Sequence, residues 1–89
     1  MTWRVEIKDT ARKELRRLDL PVQRRLLGFL RERVATGEDP TRLGKALHSP
    51  LGGTRRYRVG DYRLICRIEH ATETVWVLKI ALRDEVYRR

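Results

Sequence analysis

An α+β fold of order β-α-α-β-β-β is what this sequence predicts, a small, mostly antiparallel sheet with a helical hairpin packed on one face. Three observations carry it. Residues 2–8 and 72–80 read as strands, and residues 10–34 place apolar side chains at helical spacing. Gly60-Asp61 then forms a two-residue hairpin signal between two further alternating runs.

The opening strand sets Trp3, Val5 and Ile7 against Arg4, Glu6 and Lys8. Asp9 or Thr10 is read as the cap of a short helix running through Leu18, with Ala11, Leu15 and Leu18 on one stripe. The run "LDLP" breaks that helix, and Pro21 suits the first turn of the next. Val22, Leu26, Phe29, Leu30, Arg33 and Val34 follow the helical period, with Arg33 the only polar member. Gly37 is the expected stop, with Pro40 just beyond, which leaves a helical hairpin with a basic outer face.

Residues 38–54 read as a linker whose Leu43, Leu47 and Leu51 pin it to the core without forming an element. In the hairpin at 55–69, a type II′ turn pairs Val59 with Tyr62, Arg58 with Arg63, and Tyr57 with Leu64. One face then holds Tyr57, Val59, Tyr62, Leu64, Cys66 and Ile68, and the other Arg56, Arg58, Arg63, Ile65, Arg67 and Glu69. The last strand is read with Trp76, Leu78 and Ile80 on one face and Val75, Val77 and Lys79 on the other. With both helices on the apolar face, the arginine face stays uncovered.

A length of 89 residues is enough for one modest core, so residues 1–89 are expected to form a single domain. The formal charge is +9, and most of the surplus is arginine, which points to phosphate or carboxylate partners. The one cysteine, Cys66, cannot close an internal disulfide and reads as a buried, inert thiol. No Cys/His cluster has metal-ligand spacing, and His48 and His70 read as surface residues. No metal or cofactor is expected. There is neither a signal peptide nor a long apolar run, so the expected compartment is the cytoplasm, with no membrane partner.

Two arginines facing each other across a hairpin repel, which costs stability unless an anion lies between them. The tail "ALRDEVYRR" adds Arg83 and Tyr87, four apart and therefore on one side whether extended or helical. Arg56, Arg58, Arg63 and Arg83 with a phenol would make a phosphate-sized site with a ring for base stacking. Alone, each of these arginines would most often be a solvated surface charge. Composition and pattern therefore reach as far as an anion-binding face.

The segments "GTRRYRVGDYRLICRIE" and "VWVLKIALRDEVYRR" resemble the second half of the RelE/ParE toxin superfamily of type II toxin–antitoxin modules. The resemblance extends over most of the chain, since that family also opens with a strand and a helical hairpin. For the RelE branch it implies a ribosome-dependent, metal-independent endoribonuclease that cuts mRNA in the A site. The RNA 2′-hydroxyl attacks the adjacent phosphate, leaving 2′,3′-cyclic phosphate and 5′-hydroxyl ends. Carried over, Arg63 matches the arginine on the scissile phosphate, Arg83 the arginine that stabilises the transition state, and Tyr87 the stacking tyrosine. Arg58 and Arg56 match basic strand positions, and Arg55, Arg67 and Lys79 are further candidates for RNA binding. The resemblance also implies a cognate acidic antitoxin, RelB-like or similar, and operator DNA bound through the antitoxin complex.

Two departures stand out. Arg58 occupies a position that is lysine in the best-known branch, and a guanidinium with a pKa above about 12 cannot serve as a base. Leu82 replaces a residue that in many relatives can donate or bind an anion. Both weaken the nuclease expectation relative to two alternatives, a ParE-type inhibitor of DNA gyrase and a non-catalytic RNA-binding member.

Overall fold

The computed structural model describes residues 3–35, 40, 45–46 and 54–82. Strand β1 (Arg4–Ile7) leads into helix α1 (Asp9–Arg16) and helix α2 (Leu20–Phe29), which continues as a π-helical turn, Leu30–Val34. Four strands follow: β2 (Lys45–Ala46), β3 (Thr54–Val59), β4 (Tyr62–Glu69) and β5 (Thr74–Leu82). The sheet order is β1-β5-β4-β3-β2, and every pairing is antiparallel except β1 with β5. The expected α+β class and the mostly antiparallel sheet are thus observed.

The core lies between the helices and one sheet face. Trp3, Ala11, Leu15, Leu26, Leu30 and Val34 meet Tyr57, Val59, Leu64, Cys66, Ile68, Val75, Val77 and Ile80. Pro21 stands in the first turn of α2, and the Gln23 amide closes the break before it by donating to the Leu18 carbonyl at 2.7 Å. Arg12, Lys13, Arg16, Arg17, Arg24 and Arg25 point outward, giving the basic outer face. The Tyr57 hydroxyl, at the floor of the core, donates to the Pro40 carbonyl at 2.7 Å.

Several expectations need correction. Neither Asp9 nor Thr10 caps α1: Lys8 holds the N-cap position, and the first helical bond runs from the Arg12 N–H to the Lys8 carbonyl at 2.8 Å. Thr10 instead donates its hydroxyl to the Leu78 carbonyl at 3.2 Å. Arg33 leaves the apolar stripe and is exposed, within the wide turn closed by the Ala35 N–H on the Leu30 carbonyl, while Leu30 and Val34 remain buried. The linker supplies a strand after all, with Lys45 opposite Arg56 and Ala46 opposite Arg55. Gly37, Leu43, Leu47 and Leu51 lie outside the described residues.

The largest correction concerns β5. Its register slips by one residue, with Lys79 opposite Ile65 but Val77 opposite Cys66. Leu78 is therefore a bulge residue, and the two halves of β5 obey opposite parities. Val75, Val77 and Ile80 all face the core, while Trp76 and Lys79 share the face opposite the helices.

Candidate nucleic-acid interface

Gly60 has φ +60° and Asp61 does not enter the positive-φ region, which is the requirement of a type II′ turn. The observed register is Val59–Tyr62, Arg58–Arg63 and Tyr57–Leu64, as the turn predicts. Val59–Tyr62 closes the turn as a hydrogen-bonded pair, so Arg58–Arg63 is the wider-bonded kind, with Cα atoms about 4.5 Å apart and side chains close. The two arginines nevertheless differ. Arg58 is exposed, whereas Arg63 is only 8% exposed and folds back to donate from Nη1 to the carbonyls of Gly60 (3.3 Å) and Tyr62 (3.1 Å). The turn carbonyls thereby fix the Arg63 guanidinium beside the hairpin tip.

Pairing extends this row and builds another beside it. Ala81 stands opposite Arg63 on β5, so the first row reads Arg58, Arg63, Ala81. The next reads Lys45, Arg56, Ile65, Lys79 by register. Farther from the turn come Thr54, Arg67, Trp76 and Glu6. At the turn-proximal end of this face the charged members of both rows are all cations, interleaved with Ala81 and Ile65. The carboxylates borne by the sheet itself come at the far end, where Glu6 lies 4.0 Å from Arg4 and Glu69 accepts from the Trp76 indole at 2.8 Å.

Of the proposed residues, Arg56, Arg58, Arg63, Arg67 and Lys79 share this face. Arg55 does not: it pairs with Cys66 and sits, half-buried, on the helix side of the sheet. Lys79 is an exposed partner of Glu14 at 3.4 Å, a surface pair of little energetic worth. Leu82 pairs with Tyr62, so it belongs to the helix side, and its lack of a polar group is not a gap in the arginine face. Arg83 and Tyr87 lie outside the described residues. Trp76 is the member that sequence reading missed, because the bulge at Leu78 reverses the face its alternation implied.

Two remaining candidates behave as expected. Cys66 is fully buried, and burial pushes its thiol up to about 12, far from a reactive thiolate. His70 is exposed with its ring edge-on to Trp3 at 5.4 Å. Among the described residues, no three His, Cys, Asp or Glu side chains are grouped to hold a metal ion. No helix among them is long and apolar enough to cross a membrane.

A family model described as the ParE toxin of type II toxin–antitoxin systems, parDE, matches residues 5–87. The chain belongs to the RelE/ParE toxin superfamily. It is a toxin of a type II toxin–antitoxin module by family. Among curated relatives it is 35% identical to Toxin RelG of Mycobacterium tuberculosis, across the whole of both chains. It is 33% identical to Toxin RelE of the same organism, over 97% of this chain and 87% of that one. Among solved structures, the RelBE2 toxin–antitoxin complex of M. tuberculosis matches at 31% identity and TM-score 0.82, covering 93% of this chain and 100% of that one. The archaeal RelE–RelB complex of Pyrococcus horikoshii OT3 matches at 28% identity and TM-score 0.69, over 93% and 97% of the two chains.

Proposed function

We propose that this RelE/ParE toxin is a ribosome-dependent mRNA endoribonuclease, acting in the cytoplasm and neutralised by an acidic, RelB-like antitoxin. The observation that carries the reading is the Arg58–Arg63 pair: two like charges face each other across the hairpin, and one is buried and held by the turn carbonyls. A buried guanidinium that is already positioned stabilises developing negative charge without reorganising at the moment of reaction. Arg63 takes the scissile phosphate. Arg58, exposed and unable to act as a base, adds charge and orientation and leaves proton removal to another group or to the solvent. Arg56 and Arg67 extend the phosphate track along β3 and β4. Arg83 and Tyr87 complete the site as transition-state and stacking residues, in the roles the family resemblance gives them.

The antitoxin follows from the same charge. A formal charge of +9 favours rapid association with an acidic segment, and a carboxylate between Arg58 and Arg63 would relieve their repulsion at rest. The solved relatives named as toxin–antitoxin complexes support such a partner. The complex would reach operator DNA through the antitoxin.

The deciding experiment adds the purified protein to ribosomes translating a defined mRNA and maps new 5′ ends. A-site cuts with 5′-hydroxyl ends are expected, absent on naked mRNA and absent for Arg63→Ala. The match to a model named for ParE toxins favours a second reading, inhibition of DNA gyrase. Intact mRNA together with a block of gyrase supercoiling would replace the first reading with the second.

A further inference from the structure

The cationic face ends, away from the hairpin turn, at an aromatic residue for which the proposed chemistry has no use. Trp76 is half-buried on the open face, between Arg67 on β4 and Glu6 on β1. Its ring is held in place, because Nε1 donates to the Glu69 carboxylate at 2.8 Å. The exposed Lys8 ammonium lies over the ring, 4.5 Å from its centroid. Beside it is a hollow of about 570 Å³, lined by Ile7, Lys8, Asp9, Thr10, Trp76 and Leu78. The hollow exists because β1 ends at Ile7 while β5 continues, and the Leu78 bulge displaces the next residues. An indole fixed by its N–H, an exposed cation over its face and an adjoining concavity of that size fit a planar, electron-rich ring.

We infer that Trp76 is a stacking platform for one base of bound single-stranded RNA, a second nucleotide subsite remote from the Arg63 phosphate site. This rests on the RNA reading given above. Charge complementarity selects the occupant: Lys8 over the ring and Arg67 opposite it on β4 can both donate to phosphate, and single-stranded RNA offers phosphates and bases at regular spacing. Of the carboxylates nearby, Glu69 is committed to holding the indole, and Glu6 lies 4.0 Å from Arg4. The Asp9 carboxylate on the rim can accept from the exocyclic amine of an adenine or cytosine. Arg63 and Arg67 are four residues apart on one strand, so the platform lies about 13 Å from the phosphate site. One oligonucleotide can therefore span both, and the platform supplies base-dependent grip that the arginine row cannot.

The test uses an eight-nucleotide oligoadenylate and an eight-unit base-free sugar–phosphate chain of equal charge, titrated into the full-length protein at fixed low salt. Wild type is expected to bind oligoadenylate about ten- to a hundredfold more tightly than the base-free chain, with quenching of Trp76 emission. Trp76→Ala should lose most of that margin, keeping only what stacking on Tyr87 supplies, whereas Trp76→Phe should keep most of it. Equal binding of both chains by wild type, or unquenched emission on saturation, overturns the inference without recourse to a variant. So does Trp76→Ala binding oligoadenylate as wild type does. If wild type still cuts A-site mRNA in those cases, only the platform is lost. If wild type neither binds oligoadenylate nor cuts, the platform and the nuclease reading fall together.

Discussion

Replacing Gly60 by alanine tests the element that sets Arg58 against Arg63. At φ +60° an L-residue pays on the order of 1–2 kcal/mol, because its Cβ crowds the backbone. Part of this is offset, by about 0.4–1 kcal/mol, since alanine also restricts the unfolded chain. The new methyl would meet the Arg25 guanidinium at 2.9–3.1 Å, too close to stay, but that group is the end of a flexible, exposed side chain and can swing away. The net expectation is a loss of about 1 kcal/mol, or a fall in Tm of roughly 4–8 °C for a chain of this size. Urea unfolding should show a lower midpoint at unchanged slope. Gly60→Asn should lose less, because asparagine tolerates this region of backbone space. In an Arg25→Ala background the alanine penalty should persist within about 0.5 kcal/mol. Full recovery there would make the clash, not the torsion, the cause. No penalty in any background would mean the type II′ turn does not set the register.

Three further outcomes are expected. Arg58→Gln should raise stability by about 0.2–1 kcal/mol at low salt, by removing a like-charge cross-strand pair, and the gain should shrink in salt while mRNA cleavage falls; a loss of stability by urea unfolding would show that the pair is compensated within the chain. Glu14→Ala should cost about 1–3 kcal/mol in the same measurement, because the Glu14 carboxylate accepts the Ile80 backbone N–H at 2.8 Å on a stretch of β5 that β1 does not reach. Cys66 should resist iodoacetamide in the folded protein at pH 8 and react once urea unfolds it. Its folded pKa is raised from 9.0 to about 12, so its contribution to stability is complete below pH 9 and is lost as pH rises towards 12; rapid native-state alkylation would place the thiol at the surface.

The hairpin was legible in the sequence because two independent signals agree there. Gly60-Asp61 fixes the loop at two residues, and each flanking run places its apolar residues on the face that the turn register requires. In β5 that redundancy is missing. Val75, Trp76, Val77, Leu78 and Ile80 are all apolar, so alternation cannot say which parity faces the core, and a bulge leaves no mark in composition. Alternation therefore groups Trp76 with Ile80, whereas the bulge sets it beside Lys79 on the open face. Arg33 illustrates the same limit in a helix: within the π-helical turn it is exposed while Leu30 and Val34 stay buried, which the 3.6-residue period does not distinguish. Two-residue β2 carries no pattern of its own and is specified only by its pairing with Arg55 and Arg56.

Because β5 lies between β1 and β4, the chain's first strand is joined to the rest of the sheet only through its last. Thr10 reaches Leu78 across 68 residues, and Glu14 reaches Ile80 across 66. Contacts so distant in sequence carry a large loop-closure cost and make folding slow for a chain of this length. A nascent chain that has not yet extended through residue 77 lacks the full partner for β1. The hairpin can form earlier, yet the Arg63–Ala81 row and the β5 side of the cationic face come into being only once β5 has been added. With this strand order the hairpin arginines are therefore paired before the face they belong to is complete.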